Sequence, residues 1–67
     1  MAQMIDVSVT VVRQGTDSVL VEDDNGTQGW VPHSLIDEDS EINAESEESD
    51  EGILVLPEWK ADELELE

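Results

Sequence analysis

The chain has no cysteine, no phenylalanine and no tyrosine, and only two basic residues, Arg13 and Lys60, in 67 positions. Without cysteine, no disulfide or thiolate metal site can staple the fold, and the composition fits a reducing compartment. With so few basic side chains, direct binding to DNA, RNA or an anionic membrane is disfavoured, because those surfaces are held by lysine and arginine. No apolar run approaches the ~20 residues that span a bilayer. The opening MAQMIDVSV lacks the basic and apolar segments of a signal peptide, so the cytoplasm is the expected location.

Catalytic signatures are equally sparse. His33 is the single histidine, and Ser34 beside it in sequence is no sign of a nucleophile–base pair. There is no glycine-rich phosphate cradle. A solvated carboxylate becomes a general acid only where its surroundings shift its pKa, and an open acidic run supplies no such surroundings. Asp37, Asp39, Glu41 and Glu48 match four positions of a twelve-residue calcium loop, but Ile42 stands where the sharp turn needs glycine. The expectation is a protein that is not an enzyme, with no cofactor and no specific metal site. Asn25-Gly26-Thr27 matches the glycosylation pattern, but without a secretory signal it reads as a turn.

What the chain has in excess is negative charge. Nineteen acids face the two bases, for a formal net charge of −17. Nine of the fifteen residues from Asp37 to Glu51 are acidic and none is basic. Repulsion on this scale opposes compaction, and salt relieves it. The natural complement is a basic protein surface.

At this length the chain forms one small domain, residues 1–67, that hides only about 60% of its unfolded surface. Residues 5–12 alternate, with Ile5, Val7, Val9 and Val11 on one face, which is a half-buried strand. SVLVEDD is a second strand and TQGWV a third. Asn25-Gly26 between them signals a tight type I′ hairpin. Gly29 marks a bulge or a close backbone approach, and Pro32, which cannot donate to a ladder, means that the third strand ends there or lies at an edge. HSLI reads as a turn or 3₁₀ piece. Residues 37–51 form an acidic loop whose composition is compatible with disorder. GILVLP is a fourth strand, expected at the centre of the sheet because it is the most apolar. Pro57 suits the first turn of a short helix, and the closing ELELE fits either helix or strand. The fold class is therefore mainly β with a short C-terminal helix, a small antiparallel sheet curling into an SH3-like or OB-like half barrel. For Trp30 and Trp59, core packing is the first expectation, since no other aromatic supplies bulk. An exposed interface anchor is the alternative.

The stretch SVLVEDDNGTQGWVPHSLI resembles a group of small acidic phage and proteobacterial proteins. These carry a K-A-[LI]-L-V strand, an acidic-glycine hairpin, W-[VIL]-P-K-S-x-I, and a later G-x-L-x-[VI]-P-x-W before a short helix. The matching residues are Val19, Leu20, Val21, Gly26, Trp30, Val31, Pro32, Ser34, Ile36, Gly52, Leu54, Pro57 and Trp59. The chain departs from the pattern at His33, where lysine is usual, at Lys60, where leucine is common, and in its ELELE close. The resemblance implies a phage or mobile-element setting and carries no residue-level activity. Small acidic phage proteins of this kind are often inhibitors of host defence nucleases, including CRISPR and restriction systems.

Two functions follow as expectations. The first is a nucleic-acid mimic that blocks a basic DNA- or RNA-binding surface of a host protein. Its partner-binding residues are Asp23, Asp24, Asp37, Glu38, Asp39, Glu41, Glu47, Glu48, Asp50, Glu51 and Trp30. The second is a small protein-binding module that uses a tryptophan-containing apolar surface or a sheet edge. A self-associating assembly protein is a third, opposed by the chain's own charge.

Overall fold

A computed structural model describes residues 3–66. Four antiparallel strands, β1 (Met4–Gln14), β2 (Ser18–Asp23), β3 (Gln28–Pro32) and β4 (Glu51–Pro57), form one sheet in the order β3-β2-β1-β4. A 3₁₀ turn, η1 (His33–Leu35), follows β3, and one helix, α1 (Glu58–Leu64), closes the chain.

Alternation in β1 does what the sequence implies: Val7, Val9 and Val11 are buried, with Asp6 and Ser8 exposed between them. Strict alternation would next turn Arg13 into the core. The register slips instead. Val11 opposes Val21 and Arg13 opposes Leu20, so Val12 is the extra residue of a bulge. A bulge re-aims every side chain beyond it. Here it sends Arg13 to the open face and brings Gln14 to the covered one, opposite buried Val19.

The β2–β3 hairpin closes with Asp23 N–H donating to Thr27 O and Gly26 N–H donating to Asp23 O. Gly26 has φ 85° and Asn25 is not among the positive-φ residues. The expected two-residue type I′ turn is therefore a three-residue loop ending in a left-handed glycine. The Asp23 carboxylate explains the change. It accepts from the Asn25 and Thr27 N–H groups at 2.9 Å each and holds the wider loop closed.

The half barrel expected from the sequence is not formed. Closure requires the outermost strands to meet, yet β3 and β4 lie at opposite edges with β2 and β1 between them. The concave side is filled by other means. Ala61 and Leu66 from the helical end and Ile42 from the acidic connection join Val7, Val9, Val11, Val19, Val21, Val31, Leu54 and Leu56 in one buried cluster. The opposite face of the sheet carries no second layer among the described residues.

β4 is also an edge strand and not the central one expected. It pairs with β1 alone, and residues of the acidic connection lie along its outer side. That cover accounts for its apolar sequence without a central position.

α1 begins after Pro57, which caps it from an extended conformation and so stands just before the first turn. It ends at Leu64. Glu65 adopts φ 61° and ψ 31°, and its N–H and that of Leu66 return to the last turn, the hydrogen-bonded close of a left-handed cap. Within ELELE, Glu63 and Leu64 thus end the helix and Glu65 and Leu66 form its cap, with no strand among them; Glu67 lies outside the described residues. Leu64 sits on Gly29 of β3: a Cβ at Gly29 would lie 3.1 Å from Leu64 Cβ. Gly29 is the close approach that lets the helix rest on the sheet.

Candidate protein interface

The connection from Asp37 to Asp50 is built from three consecutive turns. Ser40 N–H donates to Asp37 O, Ser46 N–H to Asn43 O, and Asp50 N–H to Glu47 O, each at 3.1 Å. Side chains lock each turn. Asp37 Oδ2 accepts from Asp39 N–H, Asn43 Oδ1 from Glu45 N–H, Ser46 Oγ from Asn43 N–H, and Asp50 Oδ2 from Glu47 N–H. The non-acidic polar residues Ser40, Asn43, Ser46 and Ser49 recur every third position, and Ser49 supplies the left-handed φ of 74° that turns the chain back to β4. Short oxygen-bearing side chains favour such turns because they bond backbone groups two or three residues away.

This ribbon is fastened to the sheet at several points. Asp37 N–H donates to Val55 O, and Glu41 and Ile42 N–H groups converge on Ile53 O. Val55 N–H finds Ser40 Oγ at 3.0 Å, while that hydroxyl donates to Ile42 O at 2.6 Å. Ile53 N–H finds the Glu41 carboxylate at 2.7 Å. Two side chains thus accept the N–H groups that a fifth strand's carbonyls would take. Farther along, Val11 N–H donates to Asp50 O and Ser49 N–H donates to Val11 O. Ile42, only 2% exposed, is the apolar pin that holds the ribbon to the core.

Gln14, re-aimed by the bulge, holds the middle of the ribbon. Its Nε2 donates to Asn43 O and Ser46 O, and its Oε1 accepts from His33 Nε2 at 2.6 Å. His33 therefore braces Gln14, and Ser34 beside it is exposed.

The structure separates the candidate partner-binding residues by role. Asp23 is 5% exposed and its carboxylate serves the hairpin turn. Glu41 is exposed but gives one oxygen to Ile53 N–H. Asp37 is half-buried and Asp50 exposed, each with one oxygen in a turn. Glu38, Asp39, Glu47, Glu48 and Glu51 are exposed along the ribbon and the start of β4. Asp24 stands apart, exposed on the β2–β3 hairpin. The hairpin meets the end of α1 in an open cleft lined by Asn25, Thr27, Asp62, Glu65 and Leu66. Asp37, Asp39, Glu41 and Glu48 do not converge: no group of three or more such ligands gathers among the described residues.

Both tryptophans depart from the core-packing expectation. Trp30 is 43% exposed and Trp59 52%. Trp30 follows Gly29 and precedes Val31, both buried, so alternation sends it to the open face, opposite Leu20. Trp59 lies on the outer side of α1, with Lys60 Nζ 6.0 Å from its ring centroid. The core instead gets its bulk from valine, leucine and isoleucine.

Counter-charge is nearly absent. The one ion pair among the described residues joins Lys60 and Glu63 at 3.2 Å, on the helix. Among the described residues, no basic side chain pairs with the ribbon. Comparison with protein-family models, with curated proteins and with solved structures finds no match for the chain.

Proposed function

We propose that the chain is a non-enzymatic inhibitor or regulator whose acidic edge occupies a basic, nucleic-acid-binding surface of a host protein. The observation that carries this reading is the fastening of the acidic ribbon along one side of the sheet. It runs from Val55, which opposes Asp6, to the level of Gln14. Eight residue-to-residue steps at ~3.3 Å each make about 26 Å. Nine acids over that length give about one charge per 3 Å, close to the 3.4 Å spacing along one strand of DNA and about half the density of a duplex. Carboxylates on a fastened backbone lose less freedom on docking than carboxylates on a free tail, which favours affinity as well as encounter rate.

The contact set in this reading is Glu38, Asp39, Glu47, Glu48, Asp50 and Glu51, with Asp24 on the hairpin as an outlier. Asp23 is left to its turn. The phage setting implied by the sequence resemblance points to a defence nuclease, such as a CRISPR effector or restriction enzyme, as the class of partner.

Capture from a host lysate on the immobilised chain, with mass spectrometry of the bound fraction, tests this. A nucleic-acid-binding protein released both by moderate salt and by added duplex or single-stranded nucleic acid is the expected result. A bound protein that neither salt nor nucleic acid displaces would remove the mimicry reading.

A further inference from the structure

The two edges of the sheet are treated differently. The outer edge of β4 is covered by the acidic ribbon, whereas among the described residues β3 pairs with β2 alone. Which backbone groups of β3 face outward follows from the ladder. Asp23 N–H donates to Thr27 O at one end, and His33 N–H to Asp17 O at the other. Hydrogen-bonded and non-bonded pairs alternate between them, so Val21 with Gly29 and Val19 with Val31 are the bonded pairs. Gln28 and Trp30 therefore turn their N–H and C=O groups away from β2, and Pro32 turns out a carbonyl alone.

We infer that this edge is a strand-addition site for an extended segment of a partner protein in which basic and apolar residues alternate. Backbone hydrogen bonds to Gln28 and Trp30 supply the docking, and the side chains beside them set the occupant. On the open face, Arg13, Leu20 and Trp30 form one row and Thr10, Glu22 and Gln28 the next. An added strand extends each row by one side chain. The position beside Trp30 meets an indole that rests against the Gly15 turn, where a Cβ at Gly15 would lie 3.2 Å from ring carbon Cζ3. A lysine or arginine stacks on such a ring. The position beside Gln28 meets the Glu22 carboxylate, which already accepts from Gln28 Nε2 at 3.2 Å. The intervening side chain falls on the covered face beside Gly29 and meets half-buried Leu64, which takes an apolar group. Exposed Asp24 and Asp17 flank the two ends of the edge, and Arg13 is kept from it by the width of β2. A second copy of the chain is a poor occupant, since each carries a formal −17. This surface is distinct from the acidic ribbon and does not depend on it.

The test uses the full chain and a short capped peptide of alternating lysine and valine, followed by amide NMR. The expected result is a shift and added exchange protection at Gln28 and Trp30. Methylating every peptide amide keeps side chains and charge and should weaken binding about thirtyfold, for two or so lost hydrogen bonds. A block isomer, with all lysines before all valines, should bind as weakly. Trp30→Ala should cost about tenfold. Equal binding of the methylated or block peptide, shifts confined to residues 37–51, or β3-mediated dimers in sedimentation would each overturn the assignment. A Glu38→Gln, Asp39→Gln, Glu47→Gln, Glu48→Gln variant separates the two surfaces. It should keep peptide binding at β3 within about threefold, as expected for distant rim charges, while losing nucleic-acid-competed capture. Loss of peptide binding in that variant would also overturn the edge site.

Discussion

The Gln14 side chain donates to the carbonyl oxygen of Ser46 at 2.7 Å, joining the end of the first strand to the middle of the acidic ribbon across 32 positions of sequence. The bulge at Val12 makes this possible, because without the slipped register Gln14 would face solvent and Arg13 the core. Acidic ribbon and sheet are therefore coupled through a backbone irregularity in the opposite strand.

Gln14→Leu should consequently loosen the ribbon before it unfolds the domain. Ser46 O and Asn43 O lose a shared donor and His33 Nε2 an acceptor, a loss of about 1–3 kcal/mol when such groups stay partly buried. Hydrogen exchange should speed at residues 43–47 and stay slow at Val7 and Leu54. Uniform acceleration across the chain would show that the ribbon has no separate anchorage.

Ser40 and Ile42 carry the ribbon's attachment to β4. Ser40→Ala removes the acceptor for Val55 N–H and the donor to Ile42 O, and should cost about 1–3 kcal/mol. Ile42→Ala should cost about 2–5 kcal/mol by emptying a core position. In so small a domain the second change approaches the whole stability, so both belong in urea titrations at high salt, with Ser34→Ala on the exposed surface as a neutral control.

Gly29→Ala tests the helix docking. The added methyl would meet Leu64 at about 3.1 Å, and overpacking of this kind typically costs about 1–3 kcal/mol. The Gly29→Ala, Leu64→Ala pair should recover part of the loss, so that the two changes are less than additive in a double-mutant cycle. Additive losses would mean that the helix does not rest on that glycine.

Much of this architecture was legible in the chain. Alternation in residues 5–12, the Gly26 hairpin, the stop at Pro32 and the helix after Pro57 all rest on local rules, and the structure keeps each element. That the sheet stays open was not legible, because whether a strand's outer edge meets another strand or a ribbon of turns is decided by distant partners. GILVLP reads as central from hydrophobicity alone, whereas its cover comes from Ser40, Glu41 and Ile42. Composition also obscured the ribbon. Nine acids read as a solvated run, yet the spacing of Ser40, Asn43, Ser46 and Ser49 was a turn signal available in the sequence. Trp30 was misplaced by size, when its position in the strand alternation, between Gly29 and Val31, already pointed outward; Trp59 lies on the helix, where no such alternation applies.

Charge sets opposite requirements for folding and for binding, and this gives the sharpest test of the acidic edge. The ribbon carries acids that no basic side chain among the described residues pairs with, so mutual repulsion burdens the folded state, and salt screens it within about 8–10 Å at moderate ionic strength. The melting temperature should therefore rise as sodium chloride is added. Glu47→Gln with Glu48→Gln should raise it at low salt, by an amount that shrinks at high salt. The same pair should slow association with a basic partner several-fold while changing dissociation little, as expected of charges at the rim of an interface. A variant that is more stable yet binds as fast as the parent would show that these carboxylates burden the fold without serving the encounter.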